Sequence, residues 1–136
     1  TLEMYRTAVA ARKQLLSGEE FSWGALDGGQ VIDFDRGNGW RSITNFGAEF
    51  WPGFRAEWPV IDRFRDVVVS GIERIAKPDP AIYALAARRF GYTPGAMLFI
   101  DDSLANIESA HDCGWQVHHF TDAPTLAADL TARGLL

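Results

Sequence analysis

Two adjacent carboxylates, Asp101 and Asp102, directly follow a run of four apolar residues at 97–100. An apolar run of this length predicts a strand buried on both faces, as in a parallel sheet. No lysine or arginine lies within nine positions of the pair, so the carboxylates must be hydrated, partly protonated or bound to a cation. Mg²⁺ suits them, because it takes one or two carboxylates and completes its shell with water and phosphate oxygens. Alternatively, Asp102 or Ser103 simply caps the next helix.

Composition describes an ordinary acidic globular protein of one domain's length. The 136 residues are 47% hydrophobic and carry a formal net charge of −5. This charge argues against nucleic acid or an anionic membrane as a partner. A single cysteine, Cys113, fits a reducing compartment, and no apolar run has the length of a membrane span. We therefore expect a soluble cytoplasmic protein, whose oligomeric state the sequence leaves open.

The first part of the chain has an irregular pattern. Residues 1–17 have one apolar side and predict a helix that ends at Gly18. The stretch 18–30 is glycine-rich, and the alternating residues 31–35 predict a strand. Residues 36–39 read Arg-Gly-Asn-Gly, which is typical of a turn, and residues 40–46 can form a second strand.

The remainder of the chain alternates between strand and helix patterns. Aromatic residues at helical spacing in 47–58 predict a helix whose stripe belongs to the core. Strands are then predicted at 66–70, 97–100 and 115–119, and helices at 81–90, 103–113 and 123–133. Such alternation predicts an α/β fold with a parallel sheet that is covered by helices on both faces.

Chemically useful residues follow three of these strands. Parallel strands direct their carboxyl ends to one edge of the sheet, where ligands bind. That edge would collect Thr44, Asn45, Ser70, Asp101 and Asp102, with Lys77 entering from the loop after Ser70. A hydroxyl, a lysine and a pair of carboxylates meet the needs of phosphoryl transfer, because they can bind, neutralise and orient a phosphoryl group.

Three motifs in this order resemble those of a known family. Residues 42–46, Ser-Ile-Thr-Asn-Phe, resemble the second motif of haloacid dehalogenase-superfamily hydrolases, and 77–83, Lys-Pro-Asp-Pro-Ala-Ile-Tyr, resemble the third. Residues 98–103, Leu-Phe-Ile-Asp-Asp-Ser, with Asn106, Ala110 and Gly114 downstream, resemble the fourth. The similarity covers residues 42–134 and is to the subfamily with dehalogenases and small-molecule phosphatases.

The resemblance implies a Rossmann-like core and an aspartyl intermediate, formed when an aspartate attacks the substrate. It implies that Asp101 and Asp102 hold Mg²⁺, and that Thr44, Asn45 and Lys77 belong to the catalytic site. The substrate would be a small phosphorylated molecule or, in a dehalogenase that acts without metal, a 2-haloacid. The adjacent carboxylates favour the phosphatase branch.

The nucleophile motif of the family, Asp-x-Asp, occurs only as Asp33-Phe34-Asp35. Six residues separate Asp35 from Ser42, whereas a parallel crossover needs about a dozen. The short glycine-rich link instead predicts a hairpin, with the strand at 31–35 antiparallel to its neighbour. Asp33 and Asp35, the candidate nucleophile and general acid/base, would then lie at the edge opposite Asp101.

The spacing predicts an atypical segment at 1–41, and the resemblance implies a haloacid dehalogenase-like core at 42–136, without a cap domain. Either the chain is a fragment whose first strand lies upstream of Thr1, or residues 18–41 are a replaced segment. We expect the chain alone to hydrolyse phosphomonoesters slowly or not at all. A catalytically silent domain that binds a ligand or partner is the alternative from another functional class.

Three side chains near the motifs receive supporting roles. His118 and His119 are adjacent on a predicted strand and point to opposite faces, so they are interpreted as structural rather than as ligands of one metal. Asn106 is expected to support the metal-binding loop without ligating the ion directly.

Overall fold

In the part of the chain that the structure describes, five short strands form the central sheet: β1 Gly29–Asp33, β2 Trp40–Thr44, β3 Asp66–Val69, β4 Met97–Asp101 and β5 Gln116–His119. Their order across the sheet is β3-β2-β1-β4-β5. The computed structural model describes residues 29–33 and 40–135. The helix predicted for 1–17, most of the glycine-rich stretch, Asp35 and the turn at 36–39 lie outside these residues.

Strand direction divides the sheet into one antiparallel strand and four that share a direction. β1 is antiparallel to both β2 and β4, while β2 pairs with β3 and β4 with β5 in parallel. Since β2 and β4 both oppose β1, the carboxyl ends of β2, β3, β4 and β5 lie at one edge, as predicted. The antiparallel direction predicted for the first strand is also confirmed, so the sheet is mixed rather than wholly parallel.

Helices follow most of the strands, and local sequence explains where several of them begin. They are α1 Trp51–Glu57, α2 Ser70–Glu73, α3 Pro80–Phe90, α4 Leu104–Asp112 and α5 Ala123–Ala132, with 3₁₀ helices at Pro59–Arg63 and Pro94–Ala96. Asp79 caps α3 by accepting a hydrogen bond from the Ala81 N–H at 2.9 Å, and Asp122 caps α5 in the same way. None of the helices in the described part of the chain is long and apolar enough to cross a membrane.

Side chains of β4 point alternately to the two faces of the sheet, so the strand contributes to a hydrophobic core on each face. Met97 and Phe99 are fully buried in a cluster with residues of α3 and α4, including Tyr83. Leu98 and Ile100 are fully buried on the other face, in a cluster with residues of α5. Because successive strand residues point to opposite faces, a continuous apolar run is needed wherever helices cover both sides.

The aromatic stripe predicted to lie in the core does so only in part. Trp51 is buried in a third cluster beside β3, and Phe54 and Trp58 pack against that cluster. Phe50 is 65% exposed, because it lies in the turn before α1 rather than on the inner side of the helix. Ser70, predicted to end a strand, is instead the first residue of α2.

Candidate active site

A buried ion pair joins two of the predicted site residues at the carboxyl edge of the sheet. The Lys77 ammonium lies 2.9 Å from Oδ2 of Asp101, and the two side chains are only 2% and 3% exposed. Lys77 belongs to the loop between α2 and α3, whereas Asp101 ends β4. This contact confirms the predicted placement of the lysine beside the carboxylates.

Asn45 fixes the backbone of that lysine. Its Oδ1 accepts a hydrogen bond from the Lys77 N–H at 2.9 Å, and its Nδ2 donates to the Lys77 carbonyl at 3.0 Å. Both ends of the side-chain amide are therefore engaged by one residue of a neighbouring loop. In this structure Asn45 positions Lys77, whereas the sequence had placed it in the catalytic site without showing which group its amide contacts.

The loops after β2 and β3 are also joined, through Ser70 and Gly71. The Ser70 hydroxyl accepts a hydrogen bond from the Phe46 N–H at 2.9 Å, and the Gly71 N–H donates to the Phe46 carbonyl at 2.9 Å. A Cβ atom on Gly71 would lie 2.6 Å from that carbonyl oxygen and closer still to the backbone nitrogen of Ala48. Only glycine permits this approach. Thr44, which is fully buried, ends β2 beside Val69.

Three donors hold the Asp101 carboxylate in addition to its burial. Oδ1 accepts from the Ser103 N–H at 2.8 Å, and Oδ2 accepts from Asn106 Nδ2 at 3.2 Å as well as from Lys77. Ser103 caps α4 with its own hydroxyl. The predicted supporting position of Asn106 is therefore confirmed, since its amide contacts the carboxylate of Asp101.

Asp102 is the exposed member of the pair. Its carboxylate makes no hydrogen bond or ion pair with the residues that the structure describes. Its backbone carbonyl lies 3.0 Å from Nε2 of His119, which ends β5. The neighbouring His118 faces the other way and contacts Asp129 at 2.8 Å, as expected for adjacent strand residues.

Tyr83 is a buried part of this network that sequence reasoning did not identify. Its hydroxyl donates to the backbone carbonyl of Asn106 at 2.9 Å. Burial raises the pKa of the Tyr83 hydroxyl well above its ordinary value, and the charges of Asp101 and Cys113 raise it further. The sequence signals were the place of Tyr83 in the third motif, 77–83, and its position on the apolar side of α3, and neither identifies its partner.

The register of β1 separates Asp33 from the other site residues. Asp33 pairs with Met97 at the start of β4, whereas Asp101 ends that strand. Four residues of a strand span about 13 Å. The backbone of Asp33 thus lies near the opposite edge of the sheet, and Asp35 lies outside the described residues.

Comparison with known proteins identifies the family. The family model described as haloacid dehalogenase-like hydrolase matches residues 39–114, which is more than half of the chain. The chain belongs to the haloacid dehalogenase-like hydrolase family. The family assignment made from the three motifs is therefore confirmed.

The relatives are phosphatases that are longer than this chain. A phosphoglycolate phosphatase from Nitrosococcus oceani is 31% identical over 118 residues, covering 85% of this chain and 48% of the relative. An N-acetylmuramic acid 6-phosphate phosphatase from Pseudomonas putida is 25% identical over 113 residues, covering 83% of this chain and 48% of the relative. This haloacid dehalogenase-like chain thus spans about half the length of the relatives it matches.

A solved structure shows the same fold. A haloacid dehalogenase family enzyme from Bacteroides thetaiotaomicron, in complex with magnesium and inorganic phosphate, superposes with a TM-score of 0.55. The identity is 24%, and the match covers 60% of this chain and 44% of that enzyme. The α/β architecture predicted from the sequence is therefore confirmed.

The donor set at the carboxyl edge of this haloacid dehalogenase-like domain fits Mg²⁺. Within the described ranges, no three histidine, cysteine or acidic side chains form a group that could enclose a metal. A hard cation that retains water needs only one or two carboxylates, which Asp101 and Asp102 supply. The exposed Asp102 carboxylate is accessible to such an ion, while Asp101 is held in place by its donors.

Proposed function

We propose that this chain carries the magnesium- and phosphate-binding part of a hydrolase that acts on small phosphorylated molecules. The observation that carries the proposal is the buried Lys77–Asp101 ion pair, with the exposed Asp102 beside it at the carboxyl edge. Burying two charges is costly even when they are paired, so stability alone does not account for this ion pair, and its place at the carboxyl edge favours a functional role.

Each residue has a defined part in this proposal. Asp101 and Asp102 would hold Mg²⁺, which when bound offsets negative charge on phosphate oxygens. Lys77 supplies a fixed positive charge for the same purpose, and Asn45 keeps its backbone in place. Thr44 and the backbone N–H of Asn45, which directly follows it, would bind the phosphoryl oxygens, since the Phe46 N–H already donates to Ser70. The names of the two relatives, which are phosphatases of small phosphorylated acids, support this substrate class.

A catalytically silent binding domain is the second candidate, and the register of β1 favours it. The aspartyl route needs a carboxylate within reach of the phosphorus atom, where its oxygen forms the new P–O bond as the ester P–O bond breaks. Asp33 pairs with Met97 rather than with a residue at the carboxyl edge. We therefore propose that the chain by itself binds phosphate with Mg²⁺ and hydrolyses phosphomonoesters slowly or not at all.

Binding and turnover can be tested separately. Inorganic phosphate should bind to the chain more tightly with Mg²⁺ than without it, as measured by calorimetry. Asp102→Asn should remove the Mg²⁺ effect, whereas Asp112→Asn, an exposed carboxylate at the far end of α4, should leave it unchanged. A Mg²⁺ effect that survives Asp102→Asn would refute the assignment.

Phosphate release from p-nitrophenyl phosphate then measures turnover. We expect little release, and no change in Asp33→Asn. A robust Mg²⁺-dependent activity that Asp33→Asn abolishes would show that Asp33 is the nucleophile after all. Release of halide from a 2-haloacid without metal would instead support the dehalogenase branch of the family.

A further inference from the structure

The backbone carbonyls of Asp101 and Asp102 are both hydrogen-bonded by residues at the end of β5, His119 and the Phe120 that follows it. The Phe120 N–H donates to the Asp101 carbonyl at 2.9 Å, and Nε2 of His119 lies 3.0 Å from the Asp102 carbonyl. A carbonyl oxygen can only accept, so Nε2 of His119 must carry the hydrogen and donate it. The first contact continues the parallel pairing of β4 with β5, whereas the second depends on a side chain.

Strand register explains why this histidine reaches the acidic loop. His119 is the direct partner of Asp101 across the parallel pair of β4 and β5, so the two side chains share one face of the sheet. His118 is the partner of Ile100 and faces α5, where it contacts Asp129. A one-residue shift of this register would exchange the two histidines.

The hydrogen bond from His119 is made to Asp102, the member of the acidic pair whose carboxylate has no donor of its own among the described residues. Asp101 is fixed by burial and by its donors, but the carboxylate of Asp102 is exposed and makes no hydrogen bond or ion pair with the described residues. The backbone orientation of such a residue sets the direction of its Cα–Cβ bond and limits the rotamers that its carboxylate can adopt. His119 holds that backbone at the carbonyl of Asp102.

We infer that His119 is a positioning residue, which orients Asp102 as a ligand for Mg²⁺. This inference rests on the proposed function, because it takes Asp101 and Asp102 to be the metal-binding pair. In this proposal His119 acts through the backbone of Asp102 and is not itself a metal ligand. It narrows the range of orientations available to Asp102, so that both carboxylates already face the ion before it binds. Groups that orient metal ligands typically change metal affinity by about 10- to 100-fold when they are replaced.

Magnesium affinity, measured by calorimetry on the whole chain, is the direct test. His119→Ala should weaken Mg²⁺ binding by about tenfold, the lower end of that range, because the residue is exposed and acts through one hydrogen bond. His119→Gln should restore most of the affinity, since its amide nitrogen can donate to the same carbonyl. His111→Ala is the matched control: this histidine lies on α4 with its side chain 71% exposed, and its replacement should leave the Mg²⁺ affinity unchanged.

Melting temperature without metal separates positioning from general stability. His119 is exposed, so His119→Ala should have the same melting temperature as the wild-type chain when no metal is present. A His119→Ala chain that binds Mg²⁺ as tightly as the wild type would overturn the inference alone. Equal weakening by alanine and glutamine, or a lower melting temperature without metal, would also overturn it. Absence of Mg²⁺ binding by the wild-type chain would overturn the proposed function together with the inference.

Discussion

Replacing Lys77 with methionine would leave the Asp101 carboxylate buried without its cation. At 2.9 Å and an effective dielectric constant of about 20, the attraction between the two charges is about 6 kcal/mol before desolvation is subtracted. Removing one member of a buried pair typically costs about 3–5 kcal/mol. Since Ser103 and Asn106 still donate to Asp101, we expect Lys77→Met to lower the free energy of unfolding by about 3 kcal/mol.

A double-mutant cycle isolates the interaction between the charges. Asp101→Asn in the Lys77→Met background removes the uncompensated charge, so the double variant should recover part of the lost stability, with a coupling energy of about 2 kcal/mol. The control is the ion pair Arg55–Asp62, in which Nε lies 2.6 Å from Oδ1 and both side chains are more than half exposed. Arg55→Met should cost less than about 1 kcal/mol.

Urea unfolding followed by tryptophan fluorescence measures four variants: Lys77→Met, Asp101→Asn, the double variant and Arg55→Met. The chain has five tryptophans to report on unfolding. A domain of this size has a free energy of unfolding of about 5–15 kcal/mol, so a loss of about 3 kcal/mol lowers the urea midpoint by a readily measurable amount. If Lys77→Met costs no more than Arg55→Met, the ion pair contributes no special stability. Burial of the two charges would then add nothing to their contribution to stability.

Three further predictions concern the supports of the site. Gly71→Ala should lower the free energy of unfolding by about 1–3 kcal/mol, because its Cβ would overlap neighbouring backbone atoms. Gly53→Ala, whose Cβ would have open space around it, should raise that free energy by about 0.5–1 kcal/mol. Equal urea midpoints for the two variants would refute the close approach at Gly71. Tyr83→Phe should cost about 1 kcal/mol at neutral pH, because the hydroxyl no longer donates to Asn106. Above pH 10 the wild type should lose stability as the unfolded chain, but not the folded one, releases the Tyr83 proton, since burial raises the pKa of this hydroxyl in the folded state; an unchanged alkaline slope in Tyr83→Phe would contradict this. Arg74→Gly should raise the melting temperature, because Arg74 has a φ of 58° that costs a side-chain-bearing residue about 1 kcal/mol; a lower melting temperature would contradict that reasoning.

Local sequence pattern was sufficient for most elements of the core. The apolar run before Asp101 identified β4, and Asp79-Pro80 with Gly91 marked the two ends of α3. These signals lie within a few residues of the element that they define, which is why they can be read from the chain. The antiparallel direction of β1 was equally accessible, because a six-residue link cannot span a parallel crossover.

The meeting of Lys77 with Asp101 could also be predicted, since parallel strands bring their carboxyl ends to one edge. The sequence did not reveal what Asn45 does with its amide, which contacts the backbone of Lys77 from 32 positions away. It placed Asn45 in the catalytic site, but the residue type alone does not show whether the amide contacts a substrate or the backbone.

By itself, the sequence determined the family, the strand–helix order, and the edge of the sheet at which the carboxylates and the lysine lie. Tertiary structure alone decided that Asp101 is buried while its neighbour Asp102 is exposed, and that Tyr83 and His119 support the loop around them. The physical reason is that residue type and spacing fix local conformation and strand direction. Burial, and the partner of each polar group, depend instead on how segments far apart in the chain pack together.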